Sequence, residues 1–452
     1  MIPYDHPPSE PVVEKCIEQI GIWNKHVNAV ITFDPESART AARQADQTAK
    51  QGKPLGLLHG VPVMVKDNID TAGVRTTYGS GFFRDHVPSS DATVVKRLRN
   101  AGAIILGKVT LHEFAFGVRS NNSVIGQCRN PWSLDRIPGG SSGGSGVAVA
   151  TGMAPLALGT DTGGSVRIPA ALNGITGLRP TVGRVSNHGC MPVSPSFDTI
   201  GPMGVSVSDV ARLFTVMSGF DPLDPVSENR QLENILVDMH EPIIGLRIGI
   251  PENHYFEGMS DDVSKAIESA ISVLQSLGAK TCPVRLPGAE TAHADATAMI
   301  YSDACSFHHE RLKSFSDNWV PATYERFQIG LKYTGRDYAQ AMRAREIWCR
   351  TLEGIFQEVD VILSPASLTV APLIEDNRSL FEATRAVTHN TYAGAFGRLP
   401  GLSVPCGFSK DGLPIGLMLE AAPWAESVLF KVGAAFQKAT DWHTKQPVLP
   451  AV

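Results

Sequence analysis

The sequence predicts an α/β fold, a single large domain whose mixed β-sheet core is flanked by helices on both faces. Two observations carry this expectation. Segments with helical spacing alternate along the chain with short apolar runs that read as buried strands. Hydrophobic residues make up 43% of the 452 residues and charged residues 19%, the balance of a soluble globular chain with a large core. Length alone would favour about three domains. One domain over residues 1–452 is expected, with core segments at about 55–215 and 355–440 and a helical insertion at about 284–345.

The elements follow in order. The apolar run from Leu57 to Lys66 reads as a buried strand closed by a lysine. Residues Ser90 to Gly102 read as a helix, with a Ser/Asp start, Val94, Val95 and Leu98 at helical spacing, and a glycine stop. Ala103 to Gly107 reads as a short buried strand. After about residue 220 the composition shifts, and Asp221 to Arg230 is turn or loop chemistry. Helices are expected from Ala266 to Gly278 and from Trp348 to about Asp360, the second leading into the strand Val361–Leu363. Between them, the segment 284–345 is helical and aromatic, with His293, Tyr301, Phe307, His308, His309, Trp319 and Tyr324, and is expected to lie over the sheet.

Charge and cysteine usage exclude several classes. Net charge is -5 with no block of like charges, so neither nucleic acid nor an anionic membrane is an expected partner. The first ten residues carry no basic segment and no apolar segment, so they do not read as a secretory signal, and a cytoplasmic location is expected. The longest nearly uncharged stretch, Gly146 to Gly159, falls short of the roughly 20 residues that a membrane span needs. Seven cysteines (16, 128, 190, 282, 305, 349 and 406) are scattered without a C-x-x-C pair and read as free, mostly buried thiols.

Several motifs fail on context. Gly140 to Gly144 fits G-x-S-x-G, but turn residues precede it where a nucleophile elbow needs a strand. Gly102 to Lys108 has P-loop spacing around an apolar strand, with Val109 where a metal-binding hydroxyl belongs. His112-Glu113 opens like a zincin helix, yet Phe116 stands at the second histidine position. His308-His309-Glu310 reads as solvated or pocket-lining, since adjacent helical residues point apart. No G-x-G-x-x-G follows a strand.

What survives is two serines in glycine-dense loops and one lysine. Pro138 to Gly146 contains Ser141, and Asp161 to Pro169 contains Ser165. A serine hydroxyl is a weak nucleophile until a base takes its proton, and a lysine can be that base only when neutral. Lys66, at the end of a buried strand, is placed for desolvation, although a lone strand-end lysine more often snorkels to water. Backbone N–H groups in the turn before Ser165 can converge on an oxyanion. A capping serine in a glycine turn is the plainer reading of that turn alone. Side chains at 163 and 164 would obstruct an acyl group approaching Ser165.

Taken together these segments resemble the amidase signature family. Gly139 to Gly146 and Leu158 to Ala170 are similar to the two halves of its signature, and Gly60 to Asn68 to its lysine segment. Asp360 to Pro365, Gly401 to Gly407 and Asp411 to Gly416 are similar to its later strand motifs. The resemblance implies a Ser–cisSer–Lys triad: Ser165 as nucleophile, Ser141 as proton relay after a cis peptide bond from Gly140, and Lys66 as base. It implies an oxyanion hole from the backbone N–H groups of Thr162, Gly163, Gly164 and Ser165. Ser142, Asp161 and Arg167 match positions that orient the loops, against the plainer reading of local capping contacts. No cofactor and no metal is implied.

The expected activity is hydrolysis of a non-peptide carbon–nitrogen bond through a Ser165 acyl-enzyme, with esters and carbamates as further candidates. The aromatic content of 184–200 and 284–345, and Met418 after the Gly412-Leu-Pro-Ile-Gly416 segment, suggest an apolar or aryl substrate. The alternative is the glutamine-hydrolysing A subunit of a tRNA-dependent amidotransferase, which requires a partner. A catalytically silent scaffold is disfavoured by the complete triad. The expected ligand is a small-molecule amide, with a homodimer left open.

Overall fold

The computed structural model describes residues 8–449, apart from 53, 232, 377 and 379. In chain order the strands are β1 (Val30–Phe33), β2 (Pro62–Lys66), β3 (Ile104–Val109), β4 (Asn121–Asn122), β5 (Gly126–Gln127), β6 (Leu156–Asp161) and β7 (Thr176–Arg179). They continue with β8 (Thr199–Gly204), β9 (Arg247–Pro251), β10 (Lys280–Val284), β11 (Val361–Pro365), β12 (Gly401–Phe408) and β13 (Pro414–Glu420). β4 and β5 pair alone, and the others form one eleven-stranded sheet ordered β1-β3-β2-β6-β8-β7-β12-β13-β11-β9-β10. The sheet is mixed, as predicted: β3, β2 and β6 run parallel, as do β11, β9 and β10, and antiparallel pairs join the two blocks.

Period-2 alternation sends successive side chains to opposite faces. In β2, Val63 and Val65 enter one core and Met64 the other. The first core is closed by the helices Thr93–Asn100, Val207–Met217, Asp261–Ser276 and Glu426–Ala439, through residues such as Leu98, Phe214, Leu274 and Phe430. The opposite core is closed by Ser9–Val27, Pro35–Lys50 and Gly143–Ala150, through Val13, Trp23, Ala42 and Val147. Helices therefore cover both faces. A third cluster joins the helices Ala289–Phe307, Pro321–Gly330, Gly335–Glu358 and Thr391–Phe396 to Val284 and Ile362 of the sheet.

Three boundaries differ from expectation. The helix read from Ser90 starts at Thr93, because the Asp91 carboxylate accepts from Ala72 N (2.8 Å) and Arg99 Nε (3.0 Å) instead of capping it. The helix read from Ala266 starts at Asp261 and ends at Ser276, just before Gly278 at φ +93°. The helix read from Trp348 starts thirteen residues earlier at Gly335, behind a capping box in which Thr334 and Asp337 satisfy each other's backbone. All seven cysteines are free, four of them buried. No helix among the described residues is long and apolar enough to cross a membrane.

Candidate active site

The parallel strands β2 and β6 lie side by side in register from Val63↔Leu156 to Val65↔Leu158. Their carboxyl ends therefore deliver Lys66 and the Thr160–Asp161 pair to one edge of the sheet, where ligand sites of α/β folds gather. The peptide bond from Gly140 to Ser141 is cis, as expected from the sequence. Ser142 N donates to Ser165 O at 3.2 Å, which ties the two serine loops together.

Lys66 is fully buried and its ammonium nitrogen has three hydroxyl neighbours: Ser141 Oγ at 2.7 Å, Ser142 Oγ at 2.9 Å and Thr160 Oγ1 at 2.7 Å. Burial lowers its pKa to about 7, against the opposing pull of Cys190, Asp161 and Asp198. A substantial neutral fraction at neutral pH follows, the state a base requires. The surface-lysine reading does not hold.

Asp161 underpins the nucleophile turn. Its Oδ1 accepts from Gly164 N at 2.7 Å, and its Oδ2 from Val166 N at 3.1 Å. Arg167 Nε and Arg179 Nη1 pair with it at 3.1 and 3.0 Å, both fully buried. Burial alone would raise this carboxyl, and the two guanidiniums outweigh it, holding the group well below the usual carboxylate range. Arg167 also donates to Glu420 Oε1 at 3.0 Å and Thr391 O at 2.9 Å. Burial pushes Glu420 up to about 7.

Gly164 departs from the expected oxyanion set, because its N–H is already held by Asp161. Among the described residues no acceptor engages the N–H groups of Thr162, Gly163 or Ser165. The glycines are required for a reason other than acyl access. A Cβ at Gly163 would stand 2.4 Å from the Tyr392 ring, and one at Gly164 (φ +130°) 2.3 Å from Thr391 Oγ1. The Thr162 hydroxyl points elsewhere, donating to Asp198 Oδ1 at 2.5 Å.

Ser165 is part-exposed in a cavity of about 30 Å³ whose walls include Phe116, Ile300, Tyr301, Arg326 and Tyr392. A second cavity of about 240 Å³ shares Thr162 and Val193 with it and reaches Asn68, Thr160, Cys190 and Asp198. The 184–200 loop thus meets both cavities, and the 284–345 segment meets the first through Ile300, Tyr301 and Arg326 and the second through Phe307. Met418 does not line either: it is buried against Ala171 and Ala366, with Sδ 3.6 Å from Arg167 Nη1. His308 is neither solvated nor pocket-lining, for its ring packs on Phe114, Trp319 and Phe327. Trp319 and Tyr324 pack on each other in the same region. Much of the aromatic content that suggested an aryl pocket is therefore internal packing.

Sequence reasoning did not single out Thr160, Asn68, Arg179, Thr391, Tyr392 or Arg326. Thr160 lies inside the recognised segment, but its contact with Lys66 spans 94 positions. Arg326 carries no local signal in the sequence. The residue is 2% exposed; its guanidinium donates to Tyr301 OH (2.6 Å) and Thr384 Oγ1 (2.7 Å) and leaves Nε without a hydrogen-bond partner. No carboxylate among the described residues pairs with it.

The Amidase family model matches residues 11–430. This chain belongs to the amidase signature family. As a member of it, the chain is similar to the A subunit of the glutamyl-tRNA(Gln) amidotransferase of Roseiflexus sp. (strain RS-1), 39% identical over 466 residues, 97% of this chain and 94% of that one. A chain solved in a vestigial protein complex that reveals the evolutionary origins of an s-triazine catabolic enzyme superposes with a TM-score of 0.91. It is 33% identical, and the match covers 96% of this chain and 95% of that one. A bacterial aryl acylamidase of the same family superposes with a TM-score of 0.86 at 25% identity, covering 97% and 94%. The amidase-signature chain is thus an enzyme acting on C–N bonds.

Proposed function

We propose that this chain hydrolyses a non-peptide amide through an acyl-enzyme on Ser165, and that the acyl group it accepts carries a carboxylate. The bond between buried Lys66 and Ser141 carries the chemical reading. Ser165 Oγ attacks the carbonyl carbon, and its proton passes by way of Ser141 to Lys66. The developing oxyanion lies against the N–H groups of Thr162, Gly163 and Ser165, each such donor being worth roughly 3–4 kcal/mol in comparable sites. Collapse breaks the C–N bond while the proton returns through Ser141 to the leaving nitrogen. Water then attacks the ester, releasing the carboxylic acid and restoring Ser165.

Arg326 directs the substrate class. A buried guanidinium without a carboxylate partner is costly to retain, and an anionic group entering the cavity would complete it. This favours a carboxylate-bearing amide over the apolar or aryl amide suggested by composition. Glutamine belongs to that class, and the 39% identity to amidotransferase A subunits supports a glutaminase that works with a partner chain. The test is turnover of succinamate, glutamine, an anilide, a fatty amide and a carbamate by wild type, Ser165→Ala and Arg326→Met. Ser165→Ala should be inactive on all, and Arg326→Met should raise KM selectively for succinamate and glutamine. An anilide preference unchanged by Arg326→Met would overturn the substrate assignment.

A further inference from the structure

A neutral lysine amine has two N–H donors and one lone pair, whereas Lys66 has three hydroxyl neighbours. For Lys66 to act as base, the lone pair must face Ser141 and both N–H groups must be taken by the other two. Ser142 meets this condition. Its hydroxyl hydrogen donates to Thr160 O at 3.1 Å and its oxygen already accepts from Thr160 N at 3.1 Å, so toward Lys66 it can only accept.

Thr160 is the undecided neighbour. Were its own hydrogen free, it could donate to the amine and draw the lone pair away from Ser141. Asn68 prevents this. Its side chain is 1% exposed, with Nδ2 3.2 Å from Thr160 Oγ1 and Oδ1 left without a partner. Asn68 Nδ2 donates to Thr160 Oγ1, as it does to Cys190 Sγ at 3.5 Å, and Lys66 Nζ donates to the same threonine oxygen at 2.7 Å, so both lone pairs of Thr160 are taken and its hydrogen points away from Lys66.

We propose that Thr160, held by Asn68, is a positioning residue that aims the lone pair of neutral Lys66 at Ser141. This rests on Lys66 being the base. Both residues also line the larger cavity, so the pH profile of kcat, rather than KM, isolates their action on Lys66. Thr160 also accepts more strongly from the ammonium than from the amine. Its loss therefore lowers the basicity of Lys66 as well as its aim.

The experiment is the pH dependence of kcat for wild type, Thr160→Val, Thr160→Ser, Asn68→Leu and Lys66→Ala, with the fold of each checked by circular dichroism and melting. Thr160→Val should lower kcat by about 10- to 100-fold, a part of what general base catalysis supplies. Its acid limb should move to lower pH, which partial misfolding would not produce. Thr160→Ser should restore both. Thr160→Ala takes the place of the valine variant if that fails to fold, and Asn68→Leu should lower kcat in the same sense. A wild-type profile in Thr160→Val or Asn68→Leu, with Lys66→Ala inactive, overturns this proposal alone. Activity retained in Lys66→Ala overturns the base reading beneath it.

Discussion

The carboxylate of Asp161 accepts the backbone N–H of Gly164 at 2.7 Å, so the turn carrying Ser165 is fixed from beneath by a buried charge. That charge is held in turn by Arg167 and Arg179 at 3.1 and 3.0 Å. Removing it by Asp161→Asn leaves two buried guanidiniums short of compensation. We expect a loss of about 3–5 kcal/mol of stability, read by denaturant titration. Less than about 1 kcal/mol would mean that the network does not hold the turn.

Activity should rise with pH through the Lys66 transition. With Lys66 lowered to about 7 by burial, its neutral form grows across pH 6–8 and kcat should climb to a plateau above it. A kcat flat from pH 5 to 9 would separate Lys66 from the proton transfer.

Stability should carry a second signature of the same lysine, also rising with pH but over a higher range. Between about 7 in the fold and the ordinary 10.5, the unfolded chain binds a proton that the folded chain refuses. This group therefore costs stability fully below pH 7, and the cost fades as pH rises to 10.5. Lys66→Met should raise the melting temperature at pH 7 more than at pH 10. Equal gains at both pH values would contradict burial as the cause.

Small dicarboxylates should bind beside Ser165 through Arg326. Succinate at 100 times its Kd would stabilise the fold by about 2.7 kcal/mol. The melting temperature of Ser165→Ala should rise with succinate and that of Ser165→Ala/Arg326→Met should not. An equal rise in both would place the anion elsewhere.

Gly163→Ala should be damaging even though alanine is small. The added carbon would meet the Tyr392 ring at 2.4 Å. Overpacking of this kind costs typically about 1–3 kcal/mol, and displacement of the turn should abolish turnover. A fully active Gly163→Ala, followed with succinamate, would show that the turn can yield.

The groups proposed for the chemistry were singled out because their signals are local. Ser141, Ser165 and Lys66 stand in short segments of distinctive composition, and alternation of apolar residues identifies the buried strand that ends in Lys66. Helix starts were less legible: Asp91 looks like a cap, and only the fold shows that it faces Ala72 and Arg99. Aromatic content misled in the same way. His308, Trp319 and Phe327 fill one another's space, and composition cannot distinguish packing from pocket lining.

By itself, then, the sequence determined the mixed α/β class, the family and the three groups proposed for the reaction, since strand periodicity and glycine turns act over a few residues. Tertiary structure alone decided that Thr160, held by Asn68, meets Lys66, that the N–H of Gly164 belongs to Asp161, and that Arg326, with no carboxylate partner among the described residues, lines the cavity that holds Ser165. These depend on burial and on contacts across as many as 94 positions. Whether a side chain there is paired, desolvated or aimed at a neighbour is fixed only when the sheet closes around it.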